Sequence, residues 1–190
     1  MKEYFEEVRD SVNACMGHYQ VWFTLRGDGK AIDEYLNDMN DYRYVDFFFA
    51  ANVAHYKLMF IEIACLFDSG SDSYSVRNLK EQLRENNLVE LANEFDRRLQ
   101  PFSALVSNIK TVRSKMIAHK DIGVNETKLF SKHGIVPDQI KELLDEVAIL
   151  MSKVESQIDG ESSCSSVGPT DRWERATFNL LEVLRAGRRS

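Results

Sequence analysis

The chain has 190 residues, 44% hydrophobic and 28% charged, which is enough for a sizeable core and is the balance of a soluble globular protein. Its 30 acidic and 24 basic residues leave a net charge of −6, so the whole surface is no general polyanion binder and any nucleic-acid site is a local patch. Nine glycines and three prolines leave few breaks and favour long helices over many short strands.

Lys2–Leu25 reads as the first helix. Phe5, Val8, Val12, Cys15, Tyr19 and Trp22 recur at steps of three and four and make one apolar stripe. Its opening, "MKEYFEEVRD", is acidic and amphipathic, unlike a signal peptide. "RGDGK" (Arg26–Lys30) ends it with two glycines suited to a helix stop and a turn. It fails as a phosphate loop, because the spacing is wrong, no Ser or Thr follows Lys30, and no strand precedes it.

A second helix is expected over Ala31–Phe67. Tyr42, Val45, Phe49, Val53, Tyr56, Phe60, Ile63 and Phe67 share one face, while Phe47, Phe48, Leu58, Met59 and Leu66 fall off it. A helix apolar on more than one side is buried by more than one neighbour, either at the centre of a bundle or against a second subunit. Asn52, His55, Lys57 and Glu62 interrupt it, so it reads as a buried helix and not as a membrane span.

"DSGSDSYS" (Asp68–Ser75) is a loop, followed by a short helix over Val76–Asn86. From Leu88 the helical period runs through Leu91, Phe95, Leu99, Phe102, Leu105, Ile109, Val112 and Met116 to about Ala118, with a kink or restart at Pro101. Lys120–Val136 is polar and irregular. Pro137 opens a further helix with Ile140, Leu143, Val147, Leu150, Val154 and Ile158 in phase. "DGESSCSSVGP" (Asp159–Pro169) has linker composition. Asp171 and Glu174 form a capping box for a last helix that carries Trp173, Thr177, Leu180 and Leu184 and stops at Gly187. The expected fold is all-α: a four- to five-helix up-and-down bundle over residues 1–158, a flexible linker over 159–169, and a C-terminal amphipathic helix over 170–190 that the bundle can do without.

Chemistry concentrates late in the third helical region. The 24 positions from Arg97 to Lys120 hold no acid but include Arg97, Arg98, Lys110, Arg113, Lys115 and Lys120. Complementing a helix dipole accounts for Lys115 and Lys120. It does not reach Arg97 and Arg98, and an electropositive groove is the alternative. His119 closes the segment among cations that disfavour imidazolium and keep a neutral, base-competent ring. His18, His55 and His133 have no metal-ligand spacing, and Cys15, Cys65 and Cys164 stand apart as free thiols suited to a reducing cytoplasm. Neither a metal nor a cofactor is expected.

"RSKMIAHKD" (Arg113–Asp121) resembles the Arg-x(4–6)-His signature of the HEPN superfamily, in which a polar residue follows the arginine. Arg113, Ser114 and His119 fit it with five intervening residues. The run R-S-K-x-x-A-H-K-D, and the aromatic helix ending "CLFDSGSDSYSVRNL" before it, are similar to the abortive-infection type U branch. The resemblance covers roughly residues 30–158. It implies a helical bundle that is a metal-independent endoribonuclease or an inactive relative, and a homodimer whose two motifs share a composite cleft.

On that reading Arg113, His119 and Ser114 are catalytic, Lys110, Lys115, Lys120, Arg97 and Arg98 hold RNA, and Asp121 supports His119. A neutral imidazole can serve as general base for the 2′-hydroxyl, and a guanidinium can fork the charge developing on the phosphate. Six residues turn an ideal helix by roughly 600°, leaving Arg113 and His119 about 120° apart, so the two converge only if the helix loosens at His119 or if Arg113 reaches across, and a site shared by two chains relaxes the demand further. Asp46, Glu62 and Asp68 are candidates to fix Arg113. In relatives silenced by a nucleotidyltransferase, a tyrosine stands two positions after the histidine; here that position is Asp121, so that regulation is not implied. The implied setting is cytoplasmic prokaryotic defence, with RNA as substrate, an antitoxin or partner protein, and no membrane. The rivals are a non-catalytic nucleotide- or RNA-binding module using the same groove, and a protein-interaction bundle recruiting a partner through the Trp173 helix.

Overall fold

The apolar spacing of the sequence becomes helix nearly everywhere. A computed structural model describes residues 1–118, 134–159 and 165–189, and every regular element among them is helical. The helices are α1 (Lys2–Leu25), α2 (Ile32–Met39), α3 (Val45–Leu66), α4 (Val76–Glu85), α5 (Val89–Leu99), α6 (Ser103–Val112), α7 (Pro137–Asp159) and α8 (Arg172–Arg189). The chain divides into two compact units, one of Met1–Cys15 with Phe60–Pro169, the other of Met16–Met59 with Thr170–Ser190.

The first unit is built as its periodicity dictates. Phe5, Val8, Val12 and Cys15 of α1 are buried, as are Phe60, Ile63 and Leu66 of α3. The Ser75 side chain accepts from Asn78 N–H and starts α4, which buries Val76, Leu79 and Leu83. Asn87 turns the chain into α5 with φ 63°, a left-handed conformation that asparagine tolerates. Pro101 sits in a single 3-10 turn, Gln100–Phe102, after which α6 restarts with Leu105, Ile109 and Val112 inside. Along α7 the expected stripe is at most 1% exposed from Ile140 to Val154, and Ile158 at its end is half-buried. Ser165 and Ser166, in the segment expected to be a linker, donate both hydroxyls to the buried Glu155 carboxylate, and Ser166 N–H donates to it at 2.9 Å. Burial pushes the Glu155 pKa up, but these hydrogen bonds outweigh burial and hold it below the usual carboxylate range.

In the second unit, α1 ends at a turn that only glycine fits. A Cβ on Gly29 would lie 2.5 Å from the Phe23 carbonyl oxygen and 2.7 Å from that of Thr24. The helix expected over Ala31–Phe67 is broken at Asn40–Tyr44. The Asp41 carboxylate accepts from Arg43 N–H at 3.0 Å, and the Asp41 carbonyl accepts from Val45 N–H at 2.9 Å. This side-chain turn ends α2 and starts α3. At the start of α3 it also shifts the phase: of Phe47, Phe48 and Phe49, Phe48 is the buried one, while Tyr42 is 87% and Phe49 72% exposed; the expected stripe is buried again at Phe60 and Ile63. Only 22% of the most apolar window of α3 is buried, so burial on several sides is not met among the described residues.

The core of this unit is Leu25, Ala31, Tyr35, Met39, Phe48 and Leu181, with α2 packed on α8. The N–H groups of Trp173 and Glu174 donate to Gln20 Oε1, each at 3.2 Å. That cap replaces the expected Asp171–Glu174 box; the Glu174 carboxylate goes instead to Lys30 (2.6 Å) and that of Asp171 to Arg175 (3.0 Å). The phase of α8 is set by Trp173 lying against Gly17 and Phe178 against Tyr35, which buries Leu181 and exposes Leu180. The helix runs through Gly187 instead of stopping there. His18 and His55 meet in this unit with their Nδ1 atoms 2.9 Å apart.

Candidate functional site

With Leu105, Ile109 and Val112 committed to the core, Lys110 and Arg113 fall three apart on a neighbouring face of α6. The N–H of Arg113 is shared between the carbonyls of Ile109 and Lys110. From Arg113 to Ala118 the backbone then widens into a π-helical turn with i→i+5 hydrogen bonding. Such turns are rare and collect at functional sites. The loosening expected at His119 lies outside the described residues; the wide turn precedes it, over Arg113–Ala118.

Arg113 and Lys110 line one concavity of about 460 Å³ with Ala64, Cys65, Asp68, Ser73 and Tyr74. Lys110 Nζ donates to the Phe67 carbonyl at 2.6 Å. The Asp68 carboxylate accepts from Gly70 N–H at 3.1 Å. The backbone N–H groups of Gly70 and then Ser69 hold its pKa below the usual range. Asn78 Nδ2 donates to the carbonyls of Gly70 (2.7 Å) and Ser73 (2.9 Å), and the Tyr4 hydroxyl donates to the Ser73 carbonyl. The loop that walls the concavity is thus pinned on both sides. Two cations face one carboxylate that backbone donors already satisfy, a balance that favours an anion.

The other expected residues divide. Ser114 is half-buried at the start of the wide turn and Lys115 is exposed. Arg97 lines a different cavity of about 760 Å³, with Glu94 and Lys153. Arg98 is spent on Glu94 (3.5 Å) and Glu146 (2.6 Å). His119, Lys120 and Asp121 lie outside the described residues. Of the acids considered as partners for Arg113, Asp68 shares its cavity. Cys65, Ser73 and Tyr74 were not singled out from sequence; Tyr74, a lone aromatic in a polar loop, was the available signal. Among the described residues no group of three or more His, Cys, Asp or Glu is placed to hold a metal.

The HEPN_AbiU2 family model, described as AbiU2, matches residues 3–175. The chain belongs to this family. The AbiU2 match reaches beyond the signature region, taking in nearly all of α1 and the first turn of α8. This AbiU2 chain is an all-α, HEPN-like abortive-infection protein. No curated protein and no solved structure matches it.

Proposed function

We propose that this AbiU2-family chain is a metal-independent endoribonuclease of prokaryotic defence, acting in the cytoplasm as a homodimer. The observation that carries the reading is the pairing of Arg113 and Lys110 in one anion-receptive concavity at a π-helical turn, in a chain whose sequence continues to His119. His119, as neutral imidazole, takes the proton of the substrate 2′-hydroxyl, whose oxygen attacks the adjacent phosphorus. The bond to the 5′-oxygen breaks, that oxygen takes up a proton, and a 2′,3′-cyclic phosphate remains. Arg113 forks two phosphate oxygens as charge builds on them, with Lys110 as a second cation. Ser114 orients the phosphate. Lys115 and Lys120 hold the strand beside it, Arg97 lies in the other cavity, and Asp121 supports His119. Tyr42, Phe47 and Phe49, 87%, 60% and 72% exposed, are more apolar surface than a monomer needs to show, which supports the dimer. An antitoxin or other partner protein would restrain the activity.

The deciding experiment incubates purified protein with single-stranded RNAs and DNAs in EDTA. RNA is cut to 2′,3′-cyclic phosphates, DNA is left intact for want of a 2′-hydroxyl, and His119→Ala lowers the rate by roughly 10²–10⁴-fold. Cleavage abolished by EDTA, or unchanged in His119→Ala, rules this mechanism out. RNA bound through Arg113 without cleavage would assign the non-catalytic binding module instead.

A further inference from the structure

Tyr74 lines the same concavity as Arg113 and Lys110 and is 45% exposed. The ring is held in place. It lies against Tyr4, centroids 4.8 Å apart at 56°. The Tyr4 hydroxyl donates to the Ser73 carbonyl and accepts from Ser75 N–H at 3.4 Å, so the residues on both sides of Tyr74 are tied to the ring that backs it. Glu3 lies close to the Tyr74 hydroxyl and, as the largest influence, raises its pKa; the phenol stays protonated and neutral. A fixed, neutral, half-exposed aromatic face beside two cations has the two elements of single-strand recognition: charge for the backbone and a π-surface for a base.

We infer that Tyr74 is a stacking platform for the nucleobase next to the phosphate held by Arg113 and Lys110, and that it gives the site a preference for purines. This rests on the nucleic-acid reading of the Arg113 cavity. Every base has a π-face, so the platform accepts all four, and the larger overlap of a purine supplies the bias. At about 460 Å³ the concavity is within the roughly 300–1,000 Å³ of pockets that hold small ligands. Its remaining liners, Ala64, Cys65 and Ser73, are small.

Cys65 is exposed and lines this cavity, whereas Cys15 is buried. The protein therefore carries its own reporter. The rate of Cys65 alkylation by iodoacetamide is followed by mass spectrometry, with unlabelled Cys15 showing that each variant is folded. The probes are a 2′-O-methyl tetra-adenylate, which cannot be cleaved through its 2′-oxygen, the matching tetra-uridylate, and an abasic sugar–phosphate of equal length. The adenylate should protect Cys65 at concentrations roughly tenfold or more below the abasic strand, the ratio expected of one base–aromatic stack, with the uridylate between them. Tyr74→Ala should erase that gap and Tyr74→Phe should keep it. Arg113→Ala should remove protection by all three. Equal protection by adenylate and abasic strand, or a gap surviving in Tyr74→Ala, overturns the platform and leaves the phosphate site standing. Failure of every strand to protect Cys65 overturns both.

Discussion

A guanidinium and an ammonium in one concavity offer different things to a phosphate. Arg113 presents a planar fork, whereas Lys110 is a point charge already donating to the Phe67 carbonyl. Arg113→Ala is therefore expected to lower RNA cleavage by a few kcal/mol of transition-state stabilisation, roughly 10²–10³-fold. Arg113→Lys should not restore it. A lysine variant within threefold of wild type in kcat/KM would show that charge alone suffices. The His18–His55 pair makes a second residue-scale prediction. Burial lowers both pKa values below the ordinary histidine value of about 6.5, with His18 adding to the effect at His55. The unfolded chain thus binds more protons than the folded one as pH drops. Stability is full above about pH 6.5 and is lost as pH falls through the depressed folded values. Thermal melts from pH 7.5 to pH 5 should fall more steeply for wild type than for His55→Gln, and equal slopes would remove the pair from the pH dependence.

At the scale of the element, α8 joins its unit through three separate devices: the Gln20 cap, Leu181 in the core, and Arg185, which pairs with Glu34 (3.0 Å) and Asp38 (3.1 Å) while lying 3.8 Å over the Tyr35 ring. Gln20→Ala leaves two helix-end N–H groups without their acceptor and should cost about 0.5–2 kcal/mol. Leu181→Ala, at 0% exposure, should cost about 2–5 kcal/mol. Urea denaturation measures both, and a Leu181→Ala loss under 1 kcal/mol would mean the helix contributes little to the core. Deletion from Thr170 should accordingly lower the melting temperature, contrary to what the linker-like composition before it suggests. Linker composition says what a segment lacks; it cannot show that Glu155 collects Ser165 and Ser166, or that Gln20 reaches across from α1. Where one helix buries one stripe, as in α7, the sequence is sufficient. The start and phase of α3 are not legible in the sequence, because an apolar residue on nearly every side gives no phase, and because the break at Asp41 depends on a side-chain hydrogen bond and no glycine or proline marks it. Lys110 and Arg113 were legible from charge and motif. Tyr74 was not, since loop closure by Tyr4 from α1 brings it to the site.

For the molecule as a whole, the exposed aromatics of α3 predict the oligomer. Phe47→Asp with Phe49→Asp should give a monomer by light scattering at micromolar concentration, with a melting temperature that, unlike that of the dimeric wild type, does not rise with protein concentration. A monomeric wild type would remove the dimer from the proposal. The division into units has a further consequence, for biosynthesis. The second unit joins Met16–Met59 to Thr170–Ser190, so about 110 residues must be translated after Met59 before its remaining segment exists. At roughly 5–20 residues per second, this delay is on the order of 5 to 20 seconds. Throughout it, Leu25, Tyr35, Met39 and Phe48 lack Leu181, so the nascent chain offers an apolar client surface to holdase chaperones until α8 leaves the ribosome.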